Sequence, residues 1–338
     1  MLHKLASIEV VEGVCPNNIG DAVLKSVKPL VLRGLIKDWP AVVSALQSPK
    51  HVVNYIKQFY QGGNVNAAYG LEDGNKRVFY NDTVTGFTYE RKQVRLDSVL
   101  DALEAGKDQD DARLLYADST LIDKFLPGFR AQNDIGLDKF NPRVSLWSGN
   151  QTIVSAHHDI PDNIACVVAG RRRFVLFPPN QVENLYIGPL DFNPAGPAIS
   201  MVDFNAPDFD VFPKYKTALE HAFVAELEPG DAIFIPSMWW HHVEGLSSFN
   251  LMVNYWWTAF PNFLGSPQDA FNHALMTIKS LPKDEREAWK SMFEYYVFDS
   301  DPARFTYVPK EKLGVLGEID EIKARRLKAG LLNRLNRE

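Results

Sequence analysis

Six short runs of apolar and β-branched residues in the middle of this chain constrain its fold more than any other feature. They occupy residues 144–147, 163–168, 173–177, 223–227, 232–235 and 250–256. Turn signals separate them, among them Gly170, Pro178-Pro179 and Pro229-Gly230-Asp231. Runs of this length between such breakers are strands, and many short strands at this spacing build a sandwich or a barrel. One longer insertion, residues 181–216, is rich in Pro, Asn and Asp. A loop of that length is expected to be a lid or a binding surface.

On either side the pattern changes. Residues 29–34 have the character of a buried strand, and Trp39-Pro40 reads as a turn. Val52, Ile56 and Phe59 fall at helical spacing within 49–60, before Gly62-Gly63. Asp73-Gly74 is a hairpin signal between 67–69 and 78–80, and Asp97 is a candidate cap for a helix through Leu103. The acidic stretch 108–111 is most simply a solvated connection. After Pro261 the chain turns helical: Ser266-Pro267 is a cap with proline at the first helical position, and Phe271, Leu275 and Ile278 share a face. A second helix from Pro282 carries Trp289, Met292, Phe293 and Tyr296, and a last one covers 318–335. The expected division is N-terminal α/β elements (1–112), a β core (113–258) and a helical region (259–338) whose apolar residues could pair two copies.

Composition narrows the function classes. At 338 residues with 46% hydrophobic and 23% charged residues, the chain can bury a large core. A net charge of −6 gives no global footprint for nucleic acid or an anionic membrane. Cys15 and Cys166 stand far apart, without metal-finger spacing or a disulfide framework. Glu9 and Glu12 break the apolar start, which makes it a poor signal peptide, and no apolar run approaches a membrane span. The expectation is a soluble, cytoplasmic protein.

The chemistry concentrates at Ser155-Ala156-His157-His158-Asp159 and, much later, Trp239-Trp240-His241-His242. A strand turns alternate side chains to one face, so His157 and Asp159 can converge on one metal ion. A histidine from a distant strand would complete two imidazoles and one carboxylate. That set is the facial triad of non-haem Fe(II) oxygenases, with positions left for a co-substrate and O₂. His-x-Asp is a short motif, and its force comes from context.

The context is a resemblance. Residues 29–34 with Trp39-Pro40, Leu146-Trp147, Ala156-His157-His158-Asp159, Phe177-Pro178-Pro179, Val202-Asp203-Phe204 with Pro207-Asp208, and Pro229-Gly230-Asp231 through Ile235-Pro236 to Trp239-Trp240-His241-His242 occur in family order. Over most of 27–258 the chain resembles the cupin-like JmjC hydroxylases. Within them it is most similar to the asparaginyl hydroxylase that acts on hypoxia-inducible factor. The resemblance implies a double-stranded β-helix (jelly-roll) that uses Fe(II), 2-oxoglutarate and O₂ to hydroxylate a C–H bond, releasing succinate and CO₂. It places His157, Asp159 and His241 on the metal, with His158 and His242 facing away as hydrogen-bonded structural residues. Arg172 falls where close relatives carry a lysine that clamps 2-oxoglutarate, and either cation suits a carboxylate. Tyr116, Asn163 and Asn254 align with co-substrate contacts, and Trp256 alternates with Asn254 on one strand. Arg171 and Arg173 are expected at a solvated edge.

Two departures stand out. Val154 occupies the place of a threonine that bonds the co-substrate carboxylate, so one hydrogen bond must come from elsewhere. Ala198-Ile199 occupies the place of a polar pair that engages the asparagine amide, and an apolar pair cannot make those bonds. The expected substrate is a residue of a protein or peptide, with RNA or a small molecule as alternatives. A cupin without 2-oxoglutarate chemistry and a non-catalytic interaction protein are the other readings. A homodimer through the C-terminal helices is the expected assembly.

Overall fold

The stretch Asp162–Ala169 is apolar almost throughout because both of its faces are buried. In the computed structural model, which describes residues 5–71, 76–109, 112–194 and 196–337, it is a central strand of the larger of two sheets. The described strands in chain order are β1 (Ala6–Ser7), β2 (Glu9–Val11), β3 (Leu30–Leu32), β4 (Asn64–Gly70), β5 (Arg77–Val78), β6 (Tyr89–Arg95), β7 (Leu115–Leu121) and β8 (Arg143–Gly149). They continue with β9 (Ile153–His157), β10 (Asp162–Ala169), β11 (Arg172–Phe177), β12 (Phe223–Leu227), β13 (Ala232–Ile235), β14 (Trp240–Gly245) and β15 (Asn250–Trp257). The smaller sheet has the order β1-β12-β11-β14-β9-β5, the larger β2-β3-β13-β10-β15-β8-β7-β4-β6.

Strands β8 to β15 form the jelly-roll. Four of them (β12, β11, β14, β9) lie together in one sheet and four (β13, β10, β15, β8) in the other, all antiparallel to their neighbours. Residues alternate accordingly. Ala165, Val167, Phe174, Leu176, Ile233 and Met252 share one core cluster. On the larger sheet Ile164, Cys166, Val168, Leu251 and Val253 pack instead with Val42, Val52, Ile56, Leu96 and Leu100. Those last five belong to the helices Pro40–Gln47, Pro49–Lys57 and Leu96–Ala105. Val175, Phe177 and Trp240 of the smaller sheet pack with Leu185, Val202, Phe204 and Tyr215 of the long insertion.

The structure corrects three expectations. Pro40 is not in a turn but at the first position of a helix, where its missing N–H costs nothing. Asp97 does not cap its helix; it sits in the first turn, pairing with Arg95 at 2.5 Å. The insertion is no free lid. Phe192 stacks on Phe87 at 4.8 Å, Ser200 N–H donates to Ala156 O at 2.7 Å, and Arg77 donates to Val202 O at 2.7 Å. The hairpin expected at Asp73-Gly74 lies outside the described residues.

Gly170 turns β10 into β11 at φ +72°. A Cβ there would meet Phe249 O at 2.3 Å and Asn250 Oδ1 at 2.4 Å. Gly170→Ala is therefore expected to lower the unfolding free energy by at least about 2 kcal/mol, from left-handed strain plus overpacking. Denaturant unfolding checks it; an unchanged midpoint would contradict this packing.

The residues from Phe260 onward form a second compact unit. Ser266 caps Pro267–Thr277 by accepting from Gln268 N–H, and Asp320 caps Glu321–Leu335 by accepting from Lys323 N–H. Phe305, only 2% exposed, packs against the rings of Tyr295 and Tyr296 in this unit. Among the described residues no helix is long and apolar enough to cross a membrane.

Candidate metal centre

His157 and His241 face each other across β9 and β14. Three steps along β9, from Val154 to His157, match two along β14, from Val243 to His241. The extra residue is a β-bulge. It reverses the parity of β9, so Val154 and His157 both line one pocket. Asp159 lies just past the end of β9, where Met238 N–H donates to its carbonyl oxygen at 2.9 Å. Met238 holds this position at φ +67°, and Ser237 ties the same turn to Ile160 O at 2.5 Å and to the Asp162 carboxylate at 2.9 Å. Such left-handed strain costs on the order of 1–3 kcal/mol and persists where the surroundings over-determine it.

The outcome is a cluster in which one ligand atom each from His157, Asp159 and His241 lies within 4.8 Å of the others. His241 Nε2 is 3.5 Å from Asp159 Oδ2, and the two imidazole centroids are 4.2 Å apart. Each ring's other nitrogen is committed. His157 Nδ1 is 2.9 Å from Ser155 O, and His241 Nδ1 is 3.0 Å from Trp239 O. A carbonyl can only accept, so each Nδ1 carries the proton and each Nε2 presents a lone pair. Burial, with the charge of His241 second, pushes the His157 pKa down to about 4, which keeps that ring neutral near neutral pH. Burial acts to raise Asp159, but the nearness of His241, His157 and His158 outweighs it wherever those rings carry charge and holds its carboxyl below the ordinary value. Two imidazoles whose Nδ1 atoms are tied to carbonyls and whose Nε2 atoms turn to the cluster, with one carboxylate, make a donor set that fits Fe(II).

The two neighbouring histidines differ from each other. His242, 3% exposed, is bonded to Glu244 at 2.9 Å and packs on Phe204, as expected for a structural residue. His158 lies edge-on to Trp240 at 4.5 Å, but its buried Nδ1 has no partner among the described residues. It is held by ring contact rather than by the hydrogen bond expected.

Tyr116, Asn163, Arg172, Asn254 and Trp256 line the same pocket as His157, Asp159 and His241. Asn254 Oδ1 accepts from Trp147 Nε1 at 2.7 Å, and Tyr116 stacks on Trp147 at 6.1 Å. Arg172 is 4% exposed and has no hydrogen bond or ion pair to a described residue; its Nε is fully buried without a partner. Burial lowers its pKa, while burial drives the Tyr116 phenol well above its ordinary value, so Tyr116 stays neutral and cannot balance the guanidinium. Trp256 Nε1 and Thr152 Oγ1 are also buried in this pocket without partners among the described residues. Three orphaned donors around one cavity fit an oxygen-rich anion such as 2-oxoglutarate. Arg173 is not at a solvated edge: half-buried, it pairs with Glu226 and Glu244, each at 2.8 Å. Arg171 is 52% exposed and pairs with Glu226. Sequence reasoning missed Thr152, two residues before Val154 on the same strand face.

The sequence matches the cupin-like domain family over residues 16–263. The chain belongs to the cupin-like domain family. This membership is consistent with Fe(II)- and 2-oxoglutarate-dependent oxygenase chemistry. Curated relatives include the tRNA wybutosine-synthesizing protein 5 of Danio rerio, 29% identical over 39% of this cupin-like chain and 35% of that protein. HSPB1-associated protein 1 of Mus musculus is 24% identical over 80% of the chain and 57% of that protein. Lysine-specific demethylase JMJ31 of Arabidopsis thaliana is 34% identical over 34% of the chain and 20% of that protein. The chain thus spans less than two thirds of the length of each of these relatives.

Proposed function

We propose that this cupin-like protein is an Fe(II)- and 2-oxoglutarate-dependent oxygenase that hydroxylates an unactivated C–H bond, on a side chain of a protein or peptide. What carries this reading is the presence, in one pocket, of the His157, Asp159, His241 cluster and the buried, unpartnered guanidinium of Arg172. Neither feature has a structural use without a ligand. In this reading His157, Asp159 and His241 hold the metal, which with 2-oxoglutarate and O₂ supplies the oxidising power. Arg172 and Tyr116 hold the far carboxylate, Asn163 and Asn254 bound the cavity, and Trp147, Trp256 and Phe174 exclude water from it.

Asparagine is not carried over as the substrate. Ile199 is fully buried, and with Ala198 it has no polar side-chain atom to offer an amide. A nucleoside in RNA is the second reading. It is favoured by the name of the Danio rerio relative and by the Arg143 guanidinium, which lies 5.9 Å from the ring of the pocket-lining Trp256. Mass spectrometry separates them, since one added oxygen appears either on a protein or on nucleosides. We also propose a cytoplasmic homodimer. Phe271, Trp289, Met292 and Leu331 of the second unit are each about half exposed. A monomeric mass by light scattering at micromolar concentration would reject the dimer.

The direct test of the chemistry is an anaerobic absorption spectrum with Fe(II), before and after 2-oxoglutarate. A visible charge-transfer band that needs both additions is expected. Metal binding without the band would favour a cupin that does not use 2-oxoglutarate, and no metal binding would favour a scaffold.

A further inference from the structure

The hydroxyl missing at Val154 reappears two residues earlier. Thr152 is 3% exposed, and its Oγ1 is buried, without a hydrogen-bond partner among the described residues, in the pocket that also holds Arg172. A buried hydroxyl left unbonded is costly and normally marks a missing partner. The backbone sets it in line with the cation. Thr152 O accepts from Gly245 N–H at 2.9 Å, and Gly245 is paired with Arg172 on its other side. Thr152, Gly245 and Arg172 therefore form one row across three adjacent strands, about 10 Å from end to end at the strand spacing of a sheet. The middle of the row stays bare. A Cβ at Gly245 would meet Asn150 O and Asn250 Nδ2 at 2.8 Å.

A second glycine brings in the phenol. A Cβ at Gly149 would sit 2.8 Å from Thr152 Oγ1 and 3.0 Å from Tyr116 Cδ2, so hydroxyl and ring border the same small space. Tyr116 in turn lies within the electrostatic reach of Arg172. The bulge in β9 makes this arrangement possible, because it turns positions 152 and 154 to the pocket together with His157.

We propose that Thr152 Oγ–H is the hydrogen-bond donor that completes the anion clamp, bonding the carboxylate that Arg172 neutralises. The ligand class is a 2-oxo dicarboxylate, and the assignment rests on the oxygenase reading above. Thr152 is here a binding residue for the co-substrate. It takes over the hydroxyl that Val154 lacks, from a position displaced two residues along the strand.

The test compares native protein with Thr152→Val, which keeps shape and removes the hydroxyl, and Thr152→Ser, which keeps the hydroxyl. Fe(II)-loaded protein is titrated anaerobically with 2-oxoglutarate, following the charge-transfer band and tryptophan fluorescence. Thr152→Val should raise the Kd about tenfold, Thr152→Ser should stay within about threefold of native, and Fe(II) affinity should not move. The ligand-free proteins are also unfolded in denaturant. Because the hydroxyl has no partner among the described residues, the midpoint of Thr152→Val should equal or exceed the native one. A Kd within twofold of native for Thr152→Val, or a lowered midpoint that shows the hydroxyl bonded within the protein, overturns the proposal. If native protein binds Fe(II) but not 2-oxoglutarate, the oxygenase reading itself fails. If native protein binds both and Thr152→Val matches it, only the role of Thr152 falls.

Discussion

His157→Ala is expected to bind Fe(II) at least about a hundredfold more weakly than native protein, beyond the 10- to 100-fold that loss of an outer-shell partner typically costs. Its Nε2 is one of three donor atoms gathered within 4.8 Å, and no other imidazole can replace it. His158 presents its ring to Trp240, and His242 gives its Nε2 to Glu244. The informative comparison is therefore His242→Ala. That change removes one partner from a Glu244 carboxylate that still keeps Arg173 at 2.8 Å and Asn205 at 2.7 Å. It should lower stability by roughly 1–3 kcal/mol and leave iron affinity near native. Competition with a chromophoric chelator measures the first quantity and denaturant unfolding the second. If His242→Ala loses iron while His157→Ala keeps it, the assignment of the two faces is wrong.

That assignment came from the resemblance; what the sequence pattern itself made legible was the strands around the two histidine pairs. β12 and β13 follow the expected residues 223–227 and 232–235, since Pro229-Gly230-Asp231 cuts them apart and Asp231 locks the turn through Arg33 at 2.5 Å. β6 was invisible for the opposite reason. It is an edge strand whose Glu90, Arg91, Lys92 and Gln93 are all exposed, so no apolar alternation marks it. Charge on an edge strand discourages pairing with other chains, and the same charge hides the strand from a hydrophobicity pattern. The helix starting at Pro40 was hidden because no side chain caps it.

Within the site the limit was parity. Counting back by twos from His157 selects Ser155 and Ile153, whereas the pocket is lined by Val154 and Thr152. Ser155 instead accepts from Arg77 Nε at 3.0 Å, outside the pocket. A bulge adds one residue without any signature in composition, so strict alternation fails one step beyond it. Val154 was found through the resemblance, which carries register implicitly. Thr152 was not, because the resemblance was drawn at Val154 and did not extend to it.

Arg172→Met should move two measurements in opposite directions. In the ligand-free protein the guanidinium is buried with no described partner, and the neutral Tyr116 phenol beside it cannot balance the charge. An uncompensated buried charge is destabilising, and an apolar side chain of similar volume relieves it. The variant should therefore unfold at higher denaturant than native protein, by roughly 1–3 kcal/mol. Its affinity for 2-oxoglutarate should fall roughly a hundredfold, the scale of losing one member of a buried, hydrogen-bonded charge pair. Arg172→Lys should lie between the two, because an ammonium restores the charge but not the two-pronged contact. Saturating 2-oxoglutarate should raise the unfolding midpoint of Fe(II)-loaded native protein and leave that of Arg172→Met almost unmoved. A structural arginine would give the reverse of the first result, a variant less stable than native protein without ligand. The opposed signs follow from a site that stores an unpaired charge in its resting state, so that an incoming dicarboxylate supplies both the missing counter-charge and the missing hydrogen-bond acceptors.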